Sequence, residues 1–207
     1  MDKLQKCAEA FERLFDTKYR IIIGRKGKST ELMIEFNPMD FHHLMGLGKL
    51  KDLRLSRQNR EQVFSEILKG MISDATINRS RYVEQIQNRF LPLSHIEQIF
   101  DENNRIFHYN KKQHSFSSIQ ADYLLTTQYI GNDIYVFISQ KEQTTSYFCR
   151  SFFPKENKDY TRGQAAYTLL FKEKIKISTG ARKIQYDRLS SHTLPKGLKN
   201  EKNRLII

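Results

Sequence analysis

Apolar residues near the start of the chain recur with the period of an α-helix. They are Leu4, Cys7, Ala8, Phe11, Leu14 and Phe15. This spacing puts all of them on one helical face, which predicts a first helix that ends near Asp16 and docks by that face. Two apolar runs follow, at residues 19–23 and 32–36, and the polar loop between them contains Gly27. The pair therefore predicts a β-hairpin with a basic tip.

A second helix is predicted to start at Asn37. Asparagine is a favoured N-cap residue, Pro38 suits the first helical position, and the acidic Asp40 lies where a helix N-terminus attracts negative charge. The apolar periodicity extends this predicted helix to residue 53. The same period predicts further helices at residues 60–69, 81–90 and 95–100, and the last of them starts with a capping box formed by Ser94 and Glu97.

From residue 105 onward the pattern changes to short β-rich runs separated by Asn, Gly and Pro. The runs are residues 105–109, 121–126, 134–138, 146–153, 166–171 and 175–177. Helices gathered before such a sheet predict an α+β domain, with the N-terminal helices and the hairpin packed on a C-terminal antiparallel sheet. We expect residues 1–178 to form one domain. Residues 179–207 hold seven Lys and Arg against two acids, and we interpret them as a basic extension that is mobile or ordered by a partner.

The composition adds a charge signal to this picture. The 207 residues include 35 Lys and Arg against 23 Asp and Glu, which gives a formal net charge of +12. Such a surface attracts anions over about 8 Å at physiological salt, which favours a polyanionic partner. The alternative is a basic protein whose lysines are scattered and solvated. With 39% hydrophobic and 28% charged residues, the chain is too apolar for complete disorder and too charged for a membrane protein.

The two cysteines, Cys7 and Cys149, are far apart in sequence and have no metal-ligand spacing. Neither a disulfide framework nor a structural zinc site is predicted, and a reducing compartment fits. The N-terminal segment carries acids between its apolar residues, which excludes a secretory signal, and no apolar stretch approaches about 18 residues. We expect a cytoplasmic protein without a membrane anchor.

The sequence motifs limit the classes of enzyme to be considered. The chain has no P-loop, GxGxxG, HExxH or nucleophile elbow, which weighs against the common nucleotide-binding, metalloprotease and hydrolase classes. In the second predicted helix, His43 falls at the edge of the stripe formed by Leu44, Leu47 and Leu50, and His42 falls on the other side. A half-buried His43 beside lysines could transfer protons near neutral pH. The alternative is a core histidine bonded to a backbone carbonyl.

A second candidate segment is the predicted strand at residues 146–154. Strand alternation places Phe148, Arg150 and Phe152 on one face and Ser151 on the other. An arginine among large apolar residues needs an anionic partner, either a carboxylate of this protein or a phosphate. The segment that follows carries hydroxyls, an arginine, a glycine and an amide. That composition is typical of a loop that lines a pocket and equally of a plain surface turn.

Basic and aromatic residues elsewhere are candidates for nucleic-acid contact. His108, Tyr109, Lys111 and Lys112 combine aromatic and basic side chains, a composition that suits base stacking and phosphate contact. The same composition is equally typical of a strand end and a polar loop. Further phosphate contacts are assigned to basic residues of the hairpin tip, of the second predicted helix and of the segment after residue 159: Arg25, Lys26, Lys28, Lys51 and Arg162.

Three strings of the sequence together resemble a known family. They are FHHLMGLGKLKDL, SFSSIQADYLL, and SYFCRSFFP followed by DYTRGQ. From about Tyr19 to Ile177 the chain resembles the phage-associated, PBECR4-like branch of the barnase, EndoU, colicin and RelE-like nuclease superfamily. The resemblance implies a small α+β fold and metal-independent RNase activity, without a cofactor, in a toxin or mobile-element protein. It also implies RNA or single-stranded nucleic acid as a partner, and a cognate antitoxin or immunity protein as another.

The resemblance nominates site residues at matching positions: His43, Lys49, Arg150, Ser151, Tyr160 and Gln164. Cleavage through the ribose 2′-OH needs a proton acceptor, a proton donor and cations around the developing negative charge. His43 is then the base or acid. Arg150 and Lys49 hold the phosphate, and Tyr160 or Ser151 positions it. A non-catalytic phage factor, such as a regulator or an inhibitor of host defence, is the alternative, because one scaffold can carry an inactive site.

Overall fold

The computed structural model describes residues 2–102, 105–114 and 117–190. Its α-helices are α1 (Lys3–Glu12), α2 (Pro38–Met45), α3 (Arg60–Leu68), α4 (Asp74–Ile77), α5 (Glu84–Gln87), α6 (Phe90–Leu93) and α7 (Ile96–Asp101). Its strands are β1 (Thr17–Arg25), β2 (Lys28–Ile34), β3 (Arg105–His108), β4 (Tyr123–Tyr129), β5 (Asn132–Gln140), β6 (Ser146–Pro154), β7 (Ala165–Lys176) and β8 (Arg182–Asp187). Short 3₁₀ turns lie at Leu47–Lys49, Arg54–Ser56 and Lys111–Gln113. The predicted α+β class is confirmed.

Helix α2 begins as predicted but ends earlier. The Asn37 backbone N–H donates to the Asp40 carboxylate at 3.1 Å, which satisfies part of the helix start. The helix stops at Met45 because Gly46 adopts a φ of 80°, the left-handed conformation that ends helices. A Cβ atom at position 46 would lie 3.1 Å from both the Arg89 Nε and the Ile86 Cγ2. Glycine therefore ends α2 and lets Arg89 approach its last turn.

The middle of the chain is less helical than its periodicity predicts. The helix predicted at residues 81–90 shortens to the single turn of α5, and the one-turn helices α4 and α6 have no clear signal in the sequence. The capping box predicted for α7 does not form, because Ser94 Oγ donates to the Leu91 carbonyl at 2.8 Å and His95 is the N-cap residue. Single turns are not stable on propensity alone, so tertiary contacts must hold them.

The predicted hairpin forms, but its place in the fold differs from the prediction. β1 and β2 pair antiparallel around the turn at Lys26 and Gly27. They do not pack on the sheet; they belong to it. The strand order is β1-β2-β6-β5-β4-β3-β7, and β7 pairs again with β1, so seven strands close into a barrel. β2 and β6 pair in parallel over two residues, and the other pairings are antiparallel. Pairing between the two ends of a domain leaves no local pattern in a sequence, so the closure could not be predicted.

Two apolar clusters share the strands. The large core joins one face of the strands to the buried faces of the helices, and β5 contributes Ile134, Val136 and Ile138 to it. The alternate residues of β5 point to the opposite face and enter a smaller cluster. Its buried members are Tyr109, Leu124, Tyr135 and Phe137. β5 is therefore buried on both faces, and the loops that cover the smaller cluster carry the candidate site.

The predicted basic extension is partly structured. β8 pairs antiparallel with β7, so residues 182–187 belong to the fold. The composition of this segment does not predict a strand, because main-chain hydrogen bonds hold the segment at a sheet edge. There Arg182, Lys183 and Ile184 stay exposed. Residues 191–207, the remainder of the predicted extension, lie outside the described residues. In the part of the chain that the structure describes, no helix has the length and apolar character needed to cross a membrane.

Candidate active site around Arg89

A cleft of about 390 Å³ opens where the end of α2, the α5–α6 turn, β6 and the loop after β6 meet. We call it the Arg89 cleft. Its polar lining residues are Lys49, Gln85, Asn88, Arg89, Ser117, Ser118, Ser151, Glu156, Asn157, Lys158 and Tyr160, and its apolar ones are Ile119 and Phe153. The fold thus brings together three residues nominated from the sequence, Lys49, Ser151 and Tyr160.

Arg89 ties two elements together at the base of the cleft. It lies in the turn between α5 and α6 and is only 5% exposed. Its Nη1 donates hydrogen bonds to the carbonyl oxygens of Leu44 at 2.9 Å and Phe152 at 2.6 Å. Its guanidinium lies 5.4 Å from the centre of the Phe153 ring. Because Leu44 belongs to the last turn of α2, the cation also meets the negative end of that helix dipole.

The charge of Arg89 is not balanced by an ion pair. Among the ion pairs of residues 2–102, 105–114 and 117–190, none includes Arg89. Its Nε is buried and has no hydrogen-bond partner. Burial lowers the pKa of Arg89 to about 10, although the charge of Glu156 raises it, so the guanidinium is charged at neutral pH. A buried cation without an ion pair, in the wall of a cleft, suits an anionic ligand.

Lys49 supplies a second cation. It follows α2 in a 3₁₀ turn, and its Nζ donates to the Gln85 carbonyl at 3.2 Å. Partial burial and the nearby charge of Arg89 lower the pKa of Lys49, and the charge of Glu156 raises it. An anion bound beside Lys49 and Arg89 would stabilise the charged form of Lys49 against the effects of burial and of the Arg89 charge.

Tyr160 supplies a hydroxyl group. Its ring packs edge-on against Phe137, with centroids 5.5 Å apart, so the side chain is fixed by the smaller cluster. Burial raises the pKa of the Tyr160 hydroxyl, while a hydrogen bond with Ser117 lowers it and the charge of Glu156 raises it further. The net pKa lies above the ordinary value, so the hydroxyl is protonated at neutral pH and can donate a proton.

Glu156 is the carboxylate of the described cleft lining. It lies on the loop after β6, is exposed, and accepts a hydrogen bond from the Asn88 side-chain amide. Its charge raises the pKa values of both Lys49 and Arg89, which places it in electrostatic range of the two cations. The cleft therefore combines the cations Lys49, Arg89 and Lys158 with a carboxylate that can accept a proton and a hydroxyl that can donate one.

Arg150 does not line this cleft. Cys149 and Ser151 pair with consecutive residues of β5, so Arg150 between them has no partner and forms a β-bulge. The extra residue reverses the alternation that follows. Phe152 enters the large core, although strand periodicity predicts it on the face of Phe148 and Arg150. The prediction that Arg150 lies among large apolar residues is therefore wrong, and its side chain is exposed.

Arg150 lines a neighbouring groove of about 730 Å³, which we call the Arg150 groove. Its other lining residues are His108, Tyr109, Asn110, Lys111, Gln120, Ala121, Asp122, Ser139, Gln140, Lys141, Glu142 and Phe148. His108 and Lys111, both predicted to contact nucleic acid, are exposed there. Tyr109 is only 3% exposed, and its hydroxyl lies 3.0 Å from Ser117 Oγ, so its ring cannot offer the stacking surface that the sequence predicts.

The two histidines of α2 differ from the prediction. His42, predicted to point away from the core, is buried, with its Nε2 3.2 Å from the Leu55 carbonyl oxygen. His43 is half-buried and lines neither the cleft nor the groove. Burial and the charges of Arg60, His42 and Arg150 lower the pKa of His43 to about 4, so it is neutral at pH 7. The apolar stripe did not show which of the two histidines is buried, because it was extended beyond Met45, where α2 ends.

Gln164 holds a loop and does not line the cleft. Its side-chain amide pairs with both main-chain groups of Asn110, accepting from the N–H at 2.7 Å and donating to the carbonyl at 3.2 Å. This contact fixes the segment after Tyr160 against the end of β3. The remaining nucleic-acid candidates are exposed outside both the cleft and the groove: Arg25, Lys26, Lys28, Lys51, Lys112 and Arg162.

The sequence matches one known protein family over most of its length. The sequence model of the family described as phage-Barnase-EndoU-ColicinE5/D-RelE like nuclease 4, PBECR4, matches residues 3–189. The chain belongs to this family. The resemblance stated from the sequence is thus confirmed, and the PBECR4 match extends from α1 to the end of β8. Searches of curated proteins and of solved structures each give no match.

The PBECR4 name describes a nuclease, which suggests nucleic acid as the substrate class. No three His, Cys, Asp or Glu side chains are grouped as metal ligands in the parts of the chain that the structure describes. The Arg89 cleft is lined by cations, a carboxylate and a tyrosine hydroxyl.

Several residues of the cleft had no signal in the sequence. Arg89 stands in a run predicted to be an amphipathic helix, where a cation is expected to face solvent. It is buried because the α5–α6 turn brings it against carbonyl groups of α2 and β6. Asn88 and Glu156 meet only across the cleft, 68 positions apart in sequence. Contacts of this kind depend on the tertiary fold, and periodicity cannot reveal them.

Proposed function

We propose that this PBECR4 protein is an endoribonuclease that cleaves RNA through its 2′-OH group at the Arg89 cleft, without a metal ion. The observation that carries the proposal is Arg89 itself, a buried guanidinium that lines the cleft beside Lys49 and has no ion pair among the described residues. A phosphodiester would supply the anion that this group lacks. Negative charge increases on the phosphate in the transition state, so fixed cations stabilise that state more than the ground state.

The other cleft residues supply the proton transfers. In the proposed reaction, Glu156 accepts the proton of the ribose 2′-OH, and the 2′-oxygen attacks the adjacent phosphorus. The bond from phosphorus to the 5′-oxygen of the next nucleotide breaks, and that oxygen takes a proton from the Tyr160 hydroxyl. The products are a 2′,3′-cyclic phosphate and a free 5′-hydroxyl. Arg89 and Lys49 hold the phosphate, and Ser151 positions it.

These assignments differ in part from those expected from the sequence. His43 was the candidate base or acid, but it lies outside the cleft lining. Arg150 was a candidate phosphate ligand of the same site, but it lines the neighbouring groove. Lys49 and Ser151 keep the roles expected for them, and Tyr160 changes from a group that positions the phosphate to the proton donor. The net charge of +12 supports an RNA partner, since it attracts polyanions at long range.

The biological role that fits such an activity is that of a cytoplasmic toxin or mobile-element protein, with RNA as its target and a cognate antitoxin or immunity protein as its second partner. The phage-associated family supports the mobile-element origin. The two cysteines are buried and unpaired, which suits a reducing compartment. Induced expression is expected to arrest growth, and loss of the Arg89 cleft chemistry is expected to relieve the arrest.

The test is cleavage of single-stranded RNA in buffer containing EDTA. The expected products carry 2′,3′-cyclic phosphate ends, and an oligonucleotide of the same sequence with 2′-deoxyribose throughout stays intact. Tyr160→Phe removes the proton donor and is expected to slow cleavage by about 10²-fold or more. Tyr186→Phe, on β8 and outside the cleft, is the matched control and should retain the wild-type rate.

A requirement for a divalent ion, or cleavage of the all-deoxy oligonucleotide, would contradict the 2′-OH mechanism. Binding provides a separate readout, because a phosphate-binding protein loses affinity steeply as salt rises. If wild-type protein binds RNA with this salt dependence but never cleaves it, the chain is the non-catalytic binder considered from the sequence.

A further inference from the structure

The Arg150 groove is larger than the Arg89 cleft and plays no part in the chemistry proposed there. We propose that this groove is a nucleotide subsite, which binds the unpaired base and the phosphate next to the phosphodiester held in the Arg89 cleft. The substrate is then single-stranded RNA long enough to occupy both. This inference rests on the proposed ribonuclease function for the identity of the ligand.

The two sites are immediate neighbours on both of their walls. On one wall, Ile119 lines the Arg89 cleft and the next residue, Gln120, lines the Arg150 groove. On the other wall, Ser151 lines the cleft and the preceding residue, Arg150, lines the groove. A polynucleotide strand that leaves the cleft therefore passes directly into the groove.

Arg150 is available to a ligand in the groove. The β-bulge in β6 exposes its side chain, and none of the ion pairs within the described ranges includes it. Two other ionic groups there are engaged: Lys141 pairs with Glu35 at 3.4 Å, and the Asp122 carboxylate accepts from the Gln140 N–H at 2.8 Å. Lys111 is an exposed ammonium in the same lining and adds a second positive charge. Arg150 is thus the guanidinium that a backbone phosphate in the groove would meet.

Phe148 gives the groove a stacking surface. It lies two residues before Arg150 on the same face of β6, its ring is half-buried, and the Arg150 guanidinium lies 6.0 Å from the ring centre. An aromatic ring beside an arginine is the combination on which unpaired bases stack, whatever their identity. The exposed Gln120 amide can hydrogen-bond to the edge of a stacked base. Bases inside a duplex are not free to enter such a site, which selects single strands.

The experiment measures binding of 2′-O-methyl oligoribonucleotides, which cannot undergo 2′-OH cleavage. A length series from dinucleotide to octanucleotide, each with one 2-aminopurine, reports affinity by anisotropy and stacking by quenching of the base fluorescence. Arg150→Gln and Phe148→Leu are each expected to weaken octanucleotide binding by about 10-fold, and Phe148→Leu to abolish the quenching. Binding of the dinucleotide, which fills the Arg89 cleft alone, is expected to stay within about 2-fold.

Two variants serve as controls for fold and for charge. Phe148→Tyr keeps the aromatic face and should retain affinity and quenching. Lys69→Ala removes an exposed cation at the end of α3 and should leave binding unchanged. Thermal melts of all variants establish that they are folded.

The outcomes separate this proposal from the function on which it rests. If Arg150→Gln and Phe148→Leu bind octanucleotide like wild type while Arg89→Lys binds weakly, the subsite is refuted and the nuclease proposal stands. If both groove variants weaken binding but unmodified RNA is never cleaved, the subsite stands and the nuclease proposal falls. Tighter binding of a duplex than of the same single strand would also overturn the subsite.

Discussion

Arg89 and Lys172 are both buried cations, and their surroundings differ. Lys172 on β7 is 1% exposed and donates to the carbonyl groups of Phe100 and Glu102. Burial lowers the pKa of Lys172 to about 8, and the charges of Asp101 and Glu102 oppose that shift. Arg89 is 5% exposed, and the only charge that raises its pKa comes from the exposed carboxylate of Glu156.

The region around Lys172 is a closed polar network. Asp101 accepts hydrogen bonds from the Tyr19 hydroxyl at 2.6 Å, the Gln185 amide at 2.7 Å and the Lys174 ammonium at 3.0 Å. These contacts tie α7 to β1, β7 and β8. In this region the protein supplies the acids for its own cations, so the network contributes to packing. The Arg89 cleft has more cation than carboxylate, which leaves room for an anion from outside. The two buried cations therefore differ in their degree of charge compensation, and the function proposed for Arg89 rests on that difference.

The largest effect that this comparison predicts is on Arg89. Arg89→Lys keeps the charge but cannot reach the Leu44 and Phe152 carbonyls and a phosphate together, because an ammonium lacks the planar fork of a guanidinium. RNA cleavage is expected to fall by about 10²–10³-fold, the loss typical of one donor that stabilises transition-state charge. Single-turnover rates on folded protein measure this, with Arg57→Lys, exposed on the surface, as the control.

A rate for Arg89→Lys within about 3-fold of wild type would show that Arg89 is structural like Lys172. A thermal melt on the same sample separates lost chemistry from lost folding, because the buried hydrogen bonds of Arg89 also contribute to stability.

A smaller effect is predicted for Lys172, and on stability alone. Its folded pKa of about 8 lies below the unfolded value of about 10.4, so between these pH values the unfolded chain binds one more proton. Raising the pH through this window therefore stabilises the folded state. Relative to Lys172→Met, wild type should gain about 2 kcal/mol in the free energy of unfolding between pH 7 and pH 9.5.

Urea unfolding at several pH values checks this, with Lys183→Met on exposed β8 as the control. Comparing each variant with wild type removes the opposing contributions of other groups, such as Cys7, whose pKa burial raises to about 12. A difference between wild type and Lys172→Met that does not change with pH would show that Lys172 keeps its ordinary pKa in the folded protein. RNA cleavage by Lys172→Met should match wild type at pH 7.

The smallest predicted effect concerns His43, which belongs to neither region. Its folded pKa of about 4 lies below the ordinary value of 6.5, so between pH 6.5 and pH 4 the unfolded chain binds one more proton. The folded state is thus destabilised as the pH falls through this window. His43→Gln should reduce the stability lost between pH 7 and pH 5 by about 1 kcal/mol, a value that allows for its partial exposure.

Chemical denaturation at the two pH values measures that difference, and His95→Gln is the control. His43→Gln should retain RNA cleavage at pH 7. Loss of cleavage by a variant that melts like wild type would return His43 to the catalytic role expected from the sequence.

Local patterns predicted the elements of this fold better than their arrangement. The start of α2 at Asn37 was predicted correctly because capping is decided by neighbouring residues. Closure of the barrel was not, because β1 and β7 come from opposite ends of the domain. Register also escaped prediction at one position. A single unpaired residue, Arg150, changed which of the following side chains are buried, and strand alternation has no means of detecting a bulge.

The residues of the candidate site were likewise predicted only in part. Lys49, Ser151 and Tyr160 were nominated by resemblance, and the fold brings them into one cleft. Arg89 and Glu156 were not nominated, because burial of a charge and contact across a cleft are properties of tertiary structure. The resemblance also could not separate Arg150 from Ser151, which are neighbours in sequence but face different sites.

Closure of the barrel by β1 and β7 sets the order of events during synthesis of the chain. β1 is synthesised before β7, and its outer edge cannot pair until residues 168–176 have also been synthesised. One wall of the Arg89 cleft also depends on residues synthesised later, because Arg89 donates a hydrogen bond to the carbonyl of Phe152. The cleft cannot assemble before Phe152 and Tyr160 have both been synthesised, because both belong to its walls. Until then, a nascent chain carries no assembled cleft beside the messenger and ribosomal RNA that produce it.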